Sequence, residues 1–85
     1  MKEFVYKIKD EVGIHARPAG LLVKAATGFG ADIKLFKGEK SADAKKIFAV
    51  MGLGVKKDDE IRVTVEGDDE EAVADAMQKF FEENL

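Results

Sequence analysis

Gly13-Ile14-His15-Ala16-Arg17-Pro18-Ala19-Gly20 joins a strand-like alternating segment to the first helical run of the chain. Proline's fixed φ suits a first helical turn, where its missing N–H has no partner to lose. The run Ala19 to Thr27 therefore reads as a helix whose start Pro18 marks and whose end is Gly28 in the left-handed conformation. His15, the only histidine, is then expected at a helix N-terminus. The free N–H groups and the positive end of the dipole attract anions there, and Arg17 adds a permanently charged, fork-shaped donor for phosphate oxygens. An imidazole that is largely neutral near pH 7 keeps a ring nitrogen free to attack, so His15 is the candidate nucleophile.

Working outward, Phe4, Tyr6 and Ile8 alternate with Glu3, Lys7 and Lys9, a half-buried strand over residues 3–9 whose polar side Val5 interrupts. Asp10 to Gly13 is the loop that delivers His15. On the helix, Ala19, Leu22, Val23 and Ala26 share one face, with Arg17, Leu21 and Lys24 opposite. Ile33 and Leu35 mark a second strand, Lys37-Gly38-Glu39 a tight turn, and Lys40 to Ala42 a short third strand at a sheet edge, where its basic residues discourage pairing with other chains. Ile47, Phe48, Val50, Met51 and Leu53 crowd a stretch of about two helical turns closed by Gly52 and Gly54, more apolar groups than so short a helix turns inward. Either other elements wrap it or some of this surface is left for a partner. Ile61, Val63 and Val65 alternate with Arg62, Thr64 and Glu66 as a fourth strand ended by Gly67. Asp68-x-x-Glu71 has the spacing of a capping box for the last helix, which is expected to face inward with Val73, Ala76, Met77 and Phe80 and outward with Glu71, Asp75 and Glu82.

The order β-α-β-β-α-β-α, with amphipathic strands, points to the α+β class: one mainly antiparallel sheet covered on one face by helices, an open-faced β-sandwich. At 85 residues and 46% apolar content, the chain is expected to form a single domain spanning residues 1–85. Cysteine is absent, which excludes a disulfide framework. Neither a signal peptide nor a membrane-spanning run is visible, so a cytoplasmic protein without membrane insertion is expected. One His and no Cys leave only carboxylates to complete a metal site, and Ser41, the sole serine, carries no mark of a nucleophile. Gly28-Phe29-Gly30 lacks the surroundings of a phosphate loop.

The net charge of −3 is unevenly divided: residues 1–57 carry twelve Lys/Arg against six Asp/Glu, residues 58–85 two against eleven. His15 lies in the basic part, which suits a partner with an acidic docking surface. Nucleic acid is disfavoured by the overall acidity and by the lack of interleaved aromatics.

Gly13-Ile14-His15-Ala16-Arg17-Pro18-Ala19 is similar to the active-site motif of the HPr family, the histidine-containing phosphocarriers of the phosphoenolpyruvate-dependent sugar phosphotransferase system. Asp43-Ala44-Lys45-Lys46-Ile47-Phe48-Ala49-Val50-Met51-Gly52-Leu53-Gly54 resembles the second signature of that family. The resemblance implies four strands and three helices, and a monomer that is no enzyme by itself and holds no cofactor or metal. It implies that His15 accepts a phosphoryl group on Nδ1 from phosphorylated enzyme I and passes it to sugar-specific enzyme II A domains. Arg17, Ala16 and Pro18 would surround the phosphoryl group, Gly20, Leu21, Lys24, Ile47, Phe48 and Met51 would form the docking patch, and the charge of Lys46 would add a partner-binding cation beside it. Lys46 departs from the family: many members have there a serine that an ATP-dependent kinase phosphorylates in some bacteria. A nitrogen-branch regulatory phosphocarrier, and a regulatory module that binds without transferring, remain as alternatives; the second has no need of both His15 and Arg17.

Overall fold

A computed structural model describes residues 1–85. The chain runs β1 (Lys2–Lys7), α1 (Ala16–Thr27), β2 (Asp32–Lys37), β3 (Lys40–Asp43), α2 (Ile47–Gly52), β4 (Glu60–Glu66) and α3 (Glu70–Asn84). The sheet order is β1-β4-β2-β3, every neighbouring pair antiparallel. The last strand in sequence is thus inserted between the first two. Flanked on both sides, β4 is the spine of the core: Ile61, Val63 and Val65 are fully buried beneath the helices. Thr64, on the opposite face, is also buried, because Glu3 of β1 and Lys34 of β2 stand beside it in the register.

The helices cover one face only, as the alternation in the strands requires. Tyr6, Ile33, Leu35 and Ala42 from the sheet meet Leu22 and Ala26 of α1, Val50 of α2 and Val73, Met77 and Phe81 of α3 in one core cluster. The α+β open-faced architecture and the β-α-β-β-α-β-α order expected from the sequence are those observed.

Four local expectations are corrected. Helix α1 begins at Ala16, not after Pro18, and His15 is its N-cap, so Pro18 lies within the first turn and is buried. Gly28 is right-handed at φ −73°: the Gly28 and Phe29 N–H groups donate to the carbonyls of Ala25 and Ala26, a tightened last turn that needs no left-handed residue. No Asp68–Glu71 capping box forms. The N-cap of α3 is Asp69, without a side-chain cap bond, while the Met1 amine takes Glu70 at 2.7 Å and Lys2 takes Glu71 at 3.2 Å. The acidic helix start is neutralised from β1 instead.

The buried stripe of α3 is also turned by about one residue from the expected one, to Val73, Ala74, Met77 and Phe81. Phe81 is fully buried, edge-on to Phe4 at 5.7 Å and to Tyr6 at 5.6 Å, whereas Phe80 is only half-buried. Both settings satisfy a 3.6-residue period. The edge-to-face fit of Phe81 against two β1 rings selects the one observed.

Candidate phosphoryl-acceptor site

The loop before His15 is built from the backbone outward. Asp10 Oδ1 accepts the Val12 N–H at 2.9 Å and the Asp10 carbonyl accepts the Gly13 N–H at 3.1 Å, closing a turn that requires a positive φ of 77° at Gly13. The Ile14 N–H then donates to the Val55 carbonyl at 3.1 Å, and both side chains are buried. His15 follows in extended conformation (φ −103°, ψ −167°), its carbonyl accepting the Ala19 N–H at 2.9 Å. Its ring makes no cap bond and is presented to solvent.

The amide N–H groups of Ala16 and Arg17 make no hydrogen bond within the chain, and Pro18 has no N–H to offer. Two unpaired donors at the positive end of a twelve-residue helix thus lie directly after His15. No acidic side chain occupies the first turn, and Arg17 is exposed within it. A cation there works against the helix by a few tenths of a kcal/mol, an expense that suits an anion-binding role and has no structural use.

His15, Arg17, Pro18 and Leu21 line a shallow cleft of about 280 Å³ together with Asp10, Glu83 and Asn84. These last three were not legible as site residues. Asp10 belongs to the loop, but Glu83 and Asn84 come from the far end of the chain. The Leu85 carbonyl accepts the Lys9 and Asp10 N–H groups at 2.6 and 2.8 Å, which brings the end of α3 beside His15. No spacing in the sequence announces that pairing.

Next to the cleft, α1 and α2 touch. A Cβ at Gly20 would stand 3.9 Å from Ile47 Cδ1, so the two helices approach where Gly20 has no side chain. Leu21 (42% exposed) and Lys24 on α1, and Phe48 (86%) and Met51 (38%) on α2, face outward. Of the apolar residues on the short helix, Val50 and Leu53 are buried and Ile47 half-buried, which settles the question left by their crowding: the surface is split between core and solvent. Lys46 is the N-cap of α2 and gives no side-chain cap bond. Val12, 64% exposed, adds an apolar side chain in the loop before His15 that the sequence had not singled out.

An exposed imidazole at the start of a helix with two unpaired amides, beside a surface where Leu21, Lys24, Phe48 and Met51 face outward, suits a group passed between proteins rather than a small substrate enclosed by one. The fold and the site together define a phosphocarrier, and the comparisons place it more closely. The family described as the PTS HPr component phosphorylation site matches residues 2–83. The phosphocarrier protein HPr of Lysinibacillus sphaericus is 42% identical over 77 residues, covering 91% of this chain and 88% of its own. The crystal structure of HPr-C-His from Thermoanaerobacter tengcongensis superposes with a TM-score of 0.93 at 39% identity, covering 99% of this chain and 94% of that one. That of HPr from Bacillus anthracis str. Ames gives 0.88 at 32%, covering 94% and 95%. The chain belongs to the HPr family of phosphocarriers of the phosphotransferase system. It carries a phosphoryl group from enzyme I to enzyme II and is not itself a catalytic enzyme.

Proposed function

We propose that His15 is the phosphoryl acceptor, that Arg17 and the Ala16 and Arg17 amides steady the transferred group, and that Pro18 walls the site. Residues 1–85 act as one domain, a cytoplasmic monomer, with sugar-specific enzyme II A domains as the acceptors. No helix is long and apolar enough to cross a membrane. The observation that carries the reading is the pair of unpartnered amides immediately after an exposed histidine at the start of α1. In the forward step a lone pair on His15 Nδ1 attacks phosphorus, and the bond from phosphorus to the donor side chain of enzyme I breaks as the new N–P bond forms. The donor keeps that electron pair. In the second step an acceptor side chain on enzyme II repeats the attack and His15 leaves with its electrons.

Arg17 and the two N–H groups face the phosphoryl oxygens, where positioning and electrostatics account for most of the rate in such transfers. Asp10 and Glu83 line the same cleft. Their carboxylates oppose the phosphoryl charge, so the group is held without being trapped. The docking patch consists of Gly20, Leu21 and Lys24 with Lys46, Ile47, Phe48 and Met51. The charge division of the chain and the exposure of Phe48 and Met51 support an acidic, partly apolar partner face.

The test is incubation with phosphoenolpyruvate and enzyme I, followed by mapping of an acid-labile phosphoryl group. His15→Ala is expected to remain folded and accept nothing. Arg17→Ala is expected to dock normally and transfer about a hundredfold more slowly. Full phosphorylation of the His15→Ala variant would overturn the assignment.

A further inference from the structure

We infer that Lys37 and Asp59, which lie outside the cleft and the docking patch, are positioning residues for phosphoryl transfer: they clamp the segment Gly54–Lys56 from which His15 is suspended. The inference rests on His15 being the acceptor. At the end of β2, Lys37 Nζ donates to the Gly54 carbonyl at 2.7 Å and pairs with Asp59 Oδ2 at 3.0 Å. The same Oδ2 accepts the Lys56 N–H at 2.9 Å, and the Asp59 N–H returns a bond to the Lys56 carbonyl at 3.0 Å. Residues 54 and 56 are thus held by one ion pair. Between them the Val55 carbonyl accepts the Ile14 N–H and lies directly against Gly13.

The linkage is short and made of stiff parts. Ile14 is bonded through its backbone and buried, and His15 is the next residue. His15 is thereby held between two anchors, the Val55 carbonyl through Ile14 and helix α1 through the Ala19 N–H on its own carbonyl, so a shift of Val55 tilts the His15 ring against a helix fixed by Leu22 and Ala26 in the core. On the side away from α1, the Ile14–Val55 bond is the last backbone hydrogen bond before His15. Gly54, the first clamped residue, has φ 64°, and Asp58, beyond the last, has φ 73°, a backbone conformation that ordinary residues avoid, so this segment does not hold its shape by propensity alone. The Lys56 N–H, then Lys37, hold the Asp59 carboxyl below the usual carboxylate range, in keeping with the contacts of the clamp.

A purely structural pair and a positioning pair make different predictions for rate and affinity. At saturating enzyme I and well below the unfolding temperature, Lys37→Met is expected to slow phosphorylation of His15 about tenfold, since misplacements under 1 Å are costly in such reactions. The KM for the carrier is expected to change less than about twofold, because the docking face is untouched. Lys37→Arg, which keeps a cation and donors, is expected to recover most of the rate. Lys40→Met, the same charge change on the neighbouring edge strand, is expected to match wild type. By NMR, the Ile14 amide should shift and lose exchange protection in Lys37→Met but not in Lys40→Met. Asp59→Asn, which can still accept the Lys56 N–H, provides an intermediate case if Lys37→Met does not fold.

A wild-type rate and an unmoved Ile14 amide in folded Lys37→Met or Asp59→Asn would overturn the inference, as would a loss confined to KM or an equal loss in Lys40→Met. A wild-type chain that takes no phosphoryl group on His15 would instead overturn the reading of the acceptor.

Discussion

Gly13 and Val55 meet backbone to backbone: a Cβ at position 13 would stand 2.3 Å from the Val55 carbonyl oxygen and 2.6 Å from Lys56 Cα. With φ at 77°, the position is closed to other residues on two independent grounds. Gly13→Ala is expected to destabilise the fold by roughly 2–3 kcal/mol and to slow phosphorylation even where the domain remains folded. Denaturant unfolding together with transfer rates checks both parts, and a wild-type rate in a destabilised variant would show that the contact matters for folding only.

Phe48 is almost wholly exposed, so its removal has little core to disturb. Phe48→Ala is expected to leave the unfolding midpoint unchanged while weakening enzyme I binding by about 1–2 kcal/mol at every salt concentration. Lys24→Glu is expected to weaken binding mainly at low salt, because rim charges steer association and are screened. Calorimetric titration at two ionic strengths separates the two; wild-type binding by both variants would place the docking face elsewhere.

Lys46 caps α2 without a side-chain acceptor and sets a cation at the positive end of the helix. Lys46→Ser is expected to stabilise the chain by about 1 kcal/mol and to slow association with enzyme I slightly. The lysine also has no hydroxyl for a serine kinase, and Ser41, the only serine, lies in β3. Incubation with ATP and such a kinase is expected to leave the wild-type chain unmodified; stoichiometric phosphoserine on it would refute this.

Two carboxylates are held below their ordinary range, Asp59 by the Lys56 N–H and Lys37, and Glu70 by the Met1 amine. A folded-state value below the unfolded one gives stability that is present above the unfolded values of 3.8 and 4.5 and lost as the pH falls through the folded values. Stability is therefore expected to decline with acid from about pH 4.5 downward, and less steeply in Asp59→Asn. Urea unfolding between about pH 2 and 6 measures the slopes; an unchanged acid limb in Asp59→Asn would remove the pair from the account.

Much of this protein is local and was legible in order along the chain. Strand alternation at Ile61, Val63 and Val65 and the apolar face of the helix through Leu22 and Ala26 follow from periods of two and 3.6 residues, which a sequence displays directly, and the crowd around Phe48 shows as a local excess of apolar residues. His15 beside Arg17 at a helix start was legible for the same reason, since all of its parts lie within a few residues. What the tertiary structure decided are choices among local settings of nearly equal energy. Phe81 displaces Phe80 from the core because it fits edge-on to Phe4 and Tyr6. Glu70 and Glu71 turn to Met1 and Lys2 instead of serving a capping box. Glu83 and Asn84 reach the His15 cleft because the Leu85 carbonyl takes the Lys9 and Asp10 N–H groups, and Val55 holds Ile14 through a bond between residues far apart in the chain. Such contacts join residues far apart in sequence, where no periodicity links them, and they are settled by which packing of the whole core buries the most surface while pairing its buried backbone groups.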